Sequence, residues 1–171
     1  MGPVRTLVVA MSVALLAQTS EVRAQPSKAP SLEQAVQAYS AAWDSRDPAR
    51  IAALHTDDST FQLFVQGAQE ARGRVDIEAQ FRRILADNPG YRSTVRAVSF
   101  AADAVTIEYD IHMHPPAPFT FGDARYEPNG KAYALPAIDV IAFQNGLVLR
   151  KVTYLDSGVI RANSRAITTV R

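Results

Sequence analysis

Cysteine is absent from this chain of 171 residues. No disulfide, thiol nucleophile, zinc-thiolate site or lipid-modified cysteine can form, so stability must come from a packed core. A basic tract is missing too: 18 Lys and Arg face 17 Asp and Glu, and the pairs Arg72/Arg74 and Arg82/Arg83 read as a solvated helix edge. That balance gives no electrostatic footprint for nucleic acid or an anionic membrane surface. Also absent are a glycine-rich phosphate loop, a Gly-x-Ser-x-Gly elbow, an HExxH pair and internal repeats, so no cofactor is implied.

The longest apolar run, residues 6–17 (TLVVAMSVALLA), is too short to cross a bilayer. With Arg5 before it and Val22-Arg23-Ala24 after it, residues 1–24 have the form of a secretory signal peptide cleaved after Ala24. The mature chain is therefore expected to be periplasmic or secreted, with no stable membrane anchor after cleavage. Removing Arg5, Arg23 and Glu21 leaves 18 − 2 = 16 basic and 17 − 1 = 16 acidic residues, a net charge of zero. The remaining 171 − 24 = 147 residues suffice for one core. Residues 25–30 (QPSKAP) read as a linker, residues 31–157 as one domain and residues 158–171 as a C-terminal tail, with an extra strand as one option.

Ser31 and Gln34 have capping-box spacing, and Leu32, Val36, Tyr39 and Trp43 recur on one helical face, which turns Tyr39 inward. Asp47-Pro48 starts a second short helix through Ile51, Leu54 and His55, and the following Thr56-Asp57-Asp58-Ser59 ends it. Residues 60–65 read as a strand and residues 75–86 as a third helix. The period then changes, and residues 93–100, 104–114, 131–143 and 147–156 read as strands, with Asn145-Gly146 a hairpin turn. Helices followed by a sheet imply an α+β fold. The long loop at residues 115–130, which carries Phe119 and Phe121, has the length of a lid over a site.

One strand, LPAIDVIAF, carries Asp139 among apolar residues. An acid in that setting requires a hydrogen-bonding partner or a function. On a neighbouring strand, alternation puts Glu108, Asp110, His112 and His114 on one face and Ile107, Tyr109, Ile111 and Met113 on the other. If the polar face lines a cavity, Asp110 or His112 is a candidate general base; if it faces outward, these residues are solvated. His112-x-His114 is also compatible with two metal ligands, but nothing else in the chain completes a coordination set, so no metal is assigned.

The segments YSAAWDSRDPARIAALHTDDST, GRVDIEAQFRRIL and LPAIDVIAF-QNGLVLRKVTYLD, in this order, resemble the SnoaL-like and ketosteroid-isomerase-like group of the nuclear transport factor 2 superfamily. The resemblance implies a curved antiparallel sheet wrapped around a long N-terminal helix. It also implies a conical cavity for a small hydrophobic molecule, no cofactor, and a homodimer through the sheet. Ketosteroid isomerases use a tyrosine and a protonated aspartic acid as an oxyanion hole, and Tyr39 and Asp139 resemble that pair. Their aspartate base is replaced here by Leu63, so any isomerase or cyclase chemistry needs another base. The alternative for Asp139 is a bond to Tyr39 or a backbone amide that fixes packing.

Trp43, Phe61, Phe81, Phe143 and Tyr154 are expected as cavity-wall or core residues, packing first and contacting a ligand second, and Trp43, Leu63, Phe81, Phe143 and Tyr154 are the candidate ligand-binding set. Asp110 also resembles the first carboxylate of limonene epoxide hydrolases. The two further positions of that motif are Glu108 and Thr153, which excludes its mechanism. Two functional classes follow: a cofactor-independent isomerase, cyclase or dehydratase acting on a small apolar carbonyl compound, or a non-catalytic binding or dimerisation module.

Overall fold

A computed structural model describes residues 29–169. The expected signal peptide and residues 25–28 of the linker lie outside them. The elements run α1 (Leu32–Ser45), α2 (Pro48–Ala52), β1 (His55–Phe64), β2 (Ala71–Arg72), α3 (Gly73–Asp87), β3 (Ser93–Phe100), β4 (Ala104–Met113), β5 (Phe119–Phe121), β6 (Ala124–Pro128), β7 (Tyr133–Gln144), β8 (Leu147–Leu155), α4 (Ser157–Asn163) and β9 (Ser164–Thr169).

Helix α1 starts at its capping box, with Ser31 Oγ accepting from Gln34 N–H and Gln34 Oε1 accepting from Ser31 N–H. Its 14 residues are one fewer than the 15 of α3, so the N-terminal helix does not stand out in length. Asp47 caps α2 with its carboxylate, but that helix stops at Ala52 and β1 has begun by His55. Residues 56–59 (TDDS), expected to end that helix ahead of a strand from Thr60, are therefore already strand. Tertiary anchoring overrides their polar, turn-like composition: His55 sits opposite Val148 of β8, and its carbonyl accepts from Arg74 Nε at 2.7 Å.

The large sheet has the order β2-β1-β8-β7-β4-β3 and is antiparallel except for the β1/β8 pair. Asn145 (φ 54°) and Gly146 (φ 82°) form the β7–β8 turn, both in the left-handed region that this two-residue hairpin requires. Residues 115–130 form the hairpin β5–β6, and β9 adds to it as a third strand, so the C-terminal segment through Thr169 is part of the folded unit.

One face of the large sheet packs on the helices. Phe61, Phe81, Ile77, Val105 and Ile141 are fully buried there, and α3 crosses β1 and α2. Strand β7 shows why: Leu135, Ala137, Asp139, Ile141 and Phe143 point into the core, while Ile138 and Val140 point out. Asp139 thus occupies a core-facing position, at 6% exposure.

Candidate functional site

Three side chains converge on the Asp139 carboxylate. Tyr109 Oη donates to Oδ1 at 3.0 Å, Thr153 Oγ1 donates to Oδ1 at 2.6 Å, and Lys151 Nζ donates to Oδ2. Sheet register produces the convergence. Thr153 is directly opposite Asp139 on β8, Lys151 is two residues back on the same strand, and Tyr109 is diagonal to it on β4. Asp139 and Lys151 are both buried, an arrangement that is stable only when each charge is paired and the remaining lone pairs are satisfied. The Lys151 ammonium also lies 5.7 Å from the Tyr39 ring centroid and 5.5 Å from that of Trp43, where the ring faces attract a cation. Burial pushes the Lys151 pKa below the ordinary lysine value, and the Asp139 carboxylate pulls it back up. Burial raises the Tyr109 hydroxyl well above its ordinary range, and the neighbouring Asp139 charge adds to the shift.

Lys151, Tyr109 and Thr153 form the polar floor of a cavity of about 350 Å³. Its walls come from Trp43, Phe61, Leu63, Ile84, Ile111, Leu135 and Leu155, and Phe119 and Phe121 of the second sheet reach it from the long loop. Two further wall groups are unsatisfied among the described residues: the Trp43 indole N–H and the Asn88 side-chain carbonyl. Asp87 supplies a carboxylate to the wall; burial pushes its pKa up, against the Thr120 backbone N–H and the charge of Arg125. At the mouth, Gly67 and Gly122 allow two loops to approach closely, since a Cβ on Gly122 would fall 2.2 Å from the Gln66 carbonyl oxygen.

Tyr39 faces inward but not into the cavity. Its hydroxyl is hydrogen-bonded to His55 Nε2 at 3.0 Å, and His55 Nδ1 is bonded to Ser59 Oγ at 2.8 Å. His55 is completely buried, and its pKa is pushed down to about 3 by burial first and by the charges of Lys151 and Arg74 next, so the ring is neutral.

The structure separates the expected oxyanion pair. Tyr39 is engaged by His55, and Asp139 accepts three hydrogen bonds instead of donating one; Tyr109 and Thr153 give their single hydroxyl protons to it, so of its three donors only Lys151 keeps N–H groups to donate into the cavity. Asp110 and His112 lie on the opposite face of β4 from Tyr109 and Ile111. There Asp110 pairs with Arg96 at 3.6 Å and His112 Nε2 bonds Thr94 Oγ1 at 2.8 Å. That alternation removes both from the cavity as bases.

Trp43 and Leu63 line the cavity wall. Phe81 stands one layer behind it, 4.9 Å from Trp43 and 5.0 Å from Phe61 by ring centroids, and Phe143 is core. Tyr154 is on the outer face, where it packs on Phe64 at 4.9 Å. Lys151, Tyr109, Thr153 and Asp87 are cavity residues that sequence reasoning did not single out. The signal for Lys151 was available: in LVLRKVTYL, alternation places a lysine on the same face as Thr153 and Leu155.

An α+β cone with a polar floor and a largely aromatic and aliphatic wall defines the nuclear transport factor 2-like class. Within it, this chain belongs to the SnoaL-like domain family, whose model matches residues 36–151. Three solved structures illustrate the likeness. A protein of ketosteroid-isomerase-like fold from Catenulispora acidiphila, in complex with trimethylamine, is 21% identical, with a TM-score of 0.64 over 77% of this chain and 92% of that one. A putative SnoaL-like polyketide cyclase from a Jannaschia species is 16% identical, with a TM-score of 0.63 over 77% and 91%. A putative isomerase from Bacillus subtilis is 16% identical, with a TM-score of 0.60 over 75% and 88%. At these identities the likeness is one of fold. No curated protein matches the chain.

Two outcomes are expected. Asp139→Leu and Lys151→Met should each cost about 3–5 kcal/mol in urea denaturation, because each strands a buried charge, while the double variant should lose clearly less than the sum. Additive losses would contradict a coupled pair. His55 binds protons more weakly folded (about 3) than unfolded (6.5), so its contribution to stability is full above about pH 6.5 and is lost as pH falls towards 3. His55→Gln should therefore flatten the pH dependence of the unfolding free energy in that window; an unchanged slope would contradict a neutral buried ring.

Proposed function

We propose that the protein is an exported, cofactor-independent enzyme of the isomerase or cyclase type that takes a small apolar carbonyl compound into the cavity. The polar floor carries this reading: Lys151, Tyr109 and Thr153 place a cation and two hydroxyls at one end of a volume whose other lining is largely apolar and aromatic, with Gln69, Gln80, Arg83, Asp87, Asn88 and Thr120 as its polar members. The Lys151 ammonium, held in place by Asp139, stabilises negative charge as it develops on a carbonyl oxygen, which favours formation of an enolate. Asp139, engaged by all three, positions them. Asp87 is the carboxylate on the cavity wall suited to take a proton, its pKa raised towards the working range of a base. The SnoaL-like family, whose solved members include a putative polyketide cyclase, supports the reaction class.

A second reading, a non-catalytic binding module, is favoured by one observation: Leu63 faces the cavity where ketosteroid isomerases carry their base. Export rests on the form of residues 1–24. A second copy of this chain is the proposed partner of the outer sheet face, where Phe64, Tyr154, Ile138 and Val140 are exposed together. Tyr154→Glu should then shift the mass measured by light scattering from dimer to monomer; a wild-type monomer would exclude the dimer.

Trp43, the single tryptophan, lines the cavity and reports occupancy by fluorescence. Phenol, an enolate mimic, should quench it saturably. Lys151→Met should weaken binding about tenfold or more, whereas Tyr39→Phe should leave the affinity within about threefold, because Tyr39 does not reach the ligand. Equal weakening by both substitutions, or no quenching, would contradict the assignment of the floor.

A further inference from the structure

The chain has only 3 lysines, at positions 28, 131 and 151, beside 15 arginines, and among the described residues the one buried amine is Lys151. A sequence that uses arginine at fifteen other basic positions has placed in its core the cation that can lose its proton. A guanidinium would meet the Asp139 carboxylate at least as well and would remain charged, so pairing alone does not call for lysine. Three observations besides residue type point to chemistry. Lys151 lines the cavity, its ammonium is hydrogen-bonded to the Asp139 carboxylate, and two hydroxyls, of Tyr109 and Thr153, stand on that same carboxylate.

We propose that Lys151 is a nucleophilic amine that condenses with an aldehyde or ketone held in the cavity to give an imine. The proposal rests on the reading of the cavity as a carbonyl-binding site and deepens it by making the contact covalent. Asp139 takes a proton from the Lys151 ammonium, and the free amine attacks the carbonyl carbon. A C–N bond forms as the C=O π electrons move to oxygen, and that oxygen takes the second amine proton to give a neutral carbinolamine. Asp139 then returns its proton to the carbinolamine hydroxyl, the C–O bond breaks, and water leaves as the nitrogen lone pair forms C=N. Overall, ammonium plus carbonyl gives iminium plus water, and the Asp139 carboxylate is regenerated. No oxidant or reductant is consumed. The iminium draws electrons from the adjacent carbon as a protonated carbonyl would, so it serves the same isomerase or cyclase chemistry. Burial lowers the cost of freeing the amine, in the direction found for Lys151.

The test is reductive trapping of the folded protein at neutral pH with benzaldehyde and sodium cyanoborohydride, read by intact mass and peptide mapping, with phenol quenching of Trp43 measured in parallel. The expected result is one benzyl adduct on Lys151, formed about tenfold faster than on Lys131 and suppressed by phenol. Adducts confined to Lys28, Lys131 and the N-terminal amine, with phenol still quenching Trp43, would overturn the imine and leave carbonyl binding standing. Loss of both signals would overturn the imine and the carbonyl-site reading together.

Discussion

The ion pair between Asp139 and Lys151 is the constraint around which the interior is arranged. Two opposite charges removed from water are tolerated only with compensation, and two strands and a helix supply it. Thr153 comes by direct opposition, Tyr109 by the diagonal from β4, and the Tyr39 and Trp43 ring faces from helix α1. A one-residue slip between β7 and β8 would turn either the acid or its partners to the outer face, so the pair also fixes register. The same cation helps hold His55 neutral, which ties the Tyr39–His55–Ser59 chain to the centre of the molecule.

From that centre the cavity follows. The curved sheet and helices α1 and α3 enclose a volume whose floor is the set of donors to Asp139 and whose rim comes from the second, three-stranded sheet. Strand β9 fastens the rim hairpin to the chain's last described segment, and the close loop approach at Gly67 and Gly122 sets the width of the mouth. Stability and chemistry share one group of residues here. A buried pair adds little net stability over apolar residues of equal volume, which makes its position beside a cavity informative.

Much of the fold was legible because local signals agreed with the final packing. The capping box at Ser31, the proline at the start of α2, the period of β3, β4, β7 and β8, and the Asn145-Gly146 turn all act over a few residues. Strand β1 begins earlier than its composition suggests because TDDS is turn-like, and the strand start is set by His55, opposite Val148 of β8 and bonded by Arg74. The site was half legible. Asp139 stood out as an acid in an apolar strand, but its partners depend on register across three strands, which composition does not carry. Tyr39 was rightly turned inward, yet the residue that claims its hydroxyl, His55, lies 16 positions away and had been read as part of a helix. Tyr109 was overlooked because it sits with apolar neighbours on the inward face of β4.

The account stands most directly on where a ligand oxygen comes to rest. A crystal structure of the protein soaked with phenol would locate it. The account predicts the phenol ring between Trp43 and Leu63, with its oxygen in hydrogen-bond range of Lys151 Nζ and of the Tyr109 or Thr153 hydroxyl. Phenol bound with its oxygen towards Asp110 and His112, or absent from a cavity left to water, would contradict it.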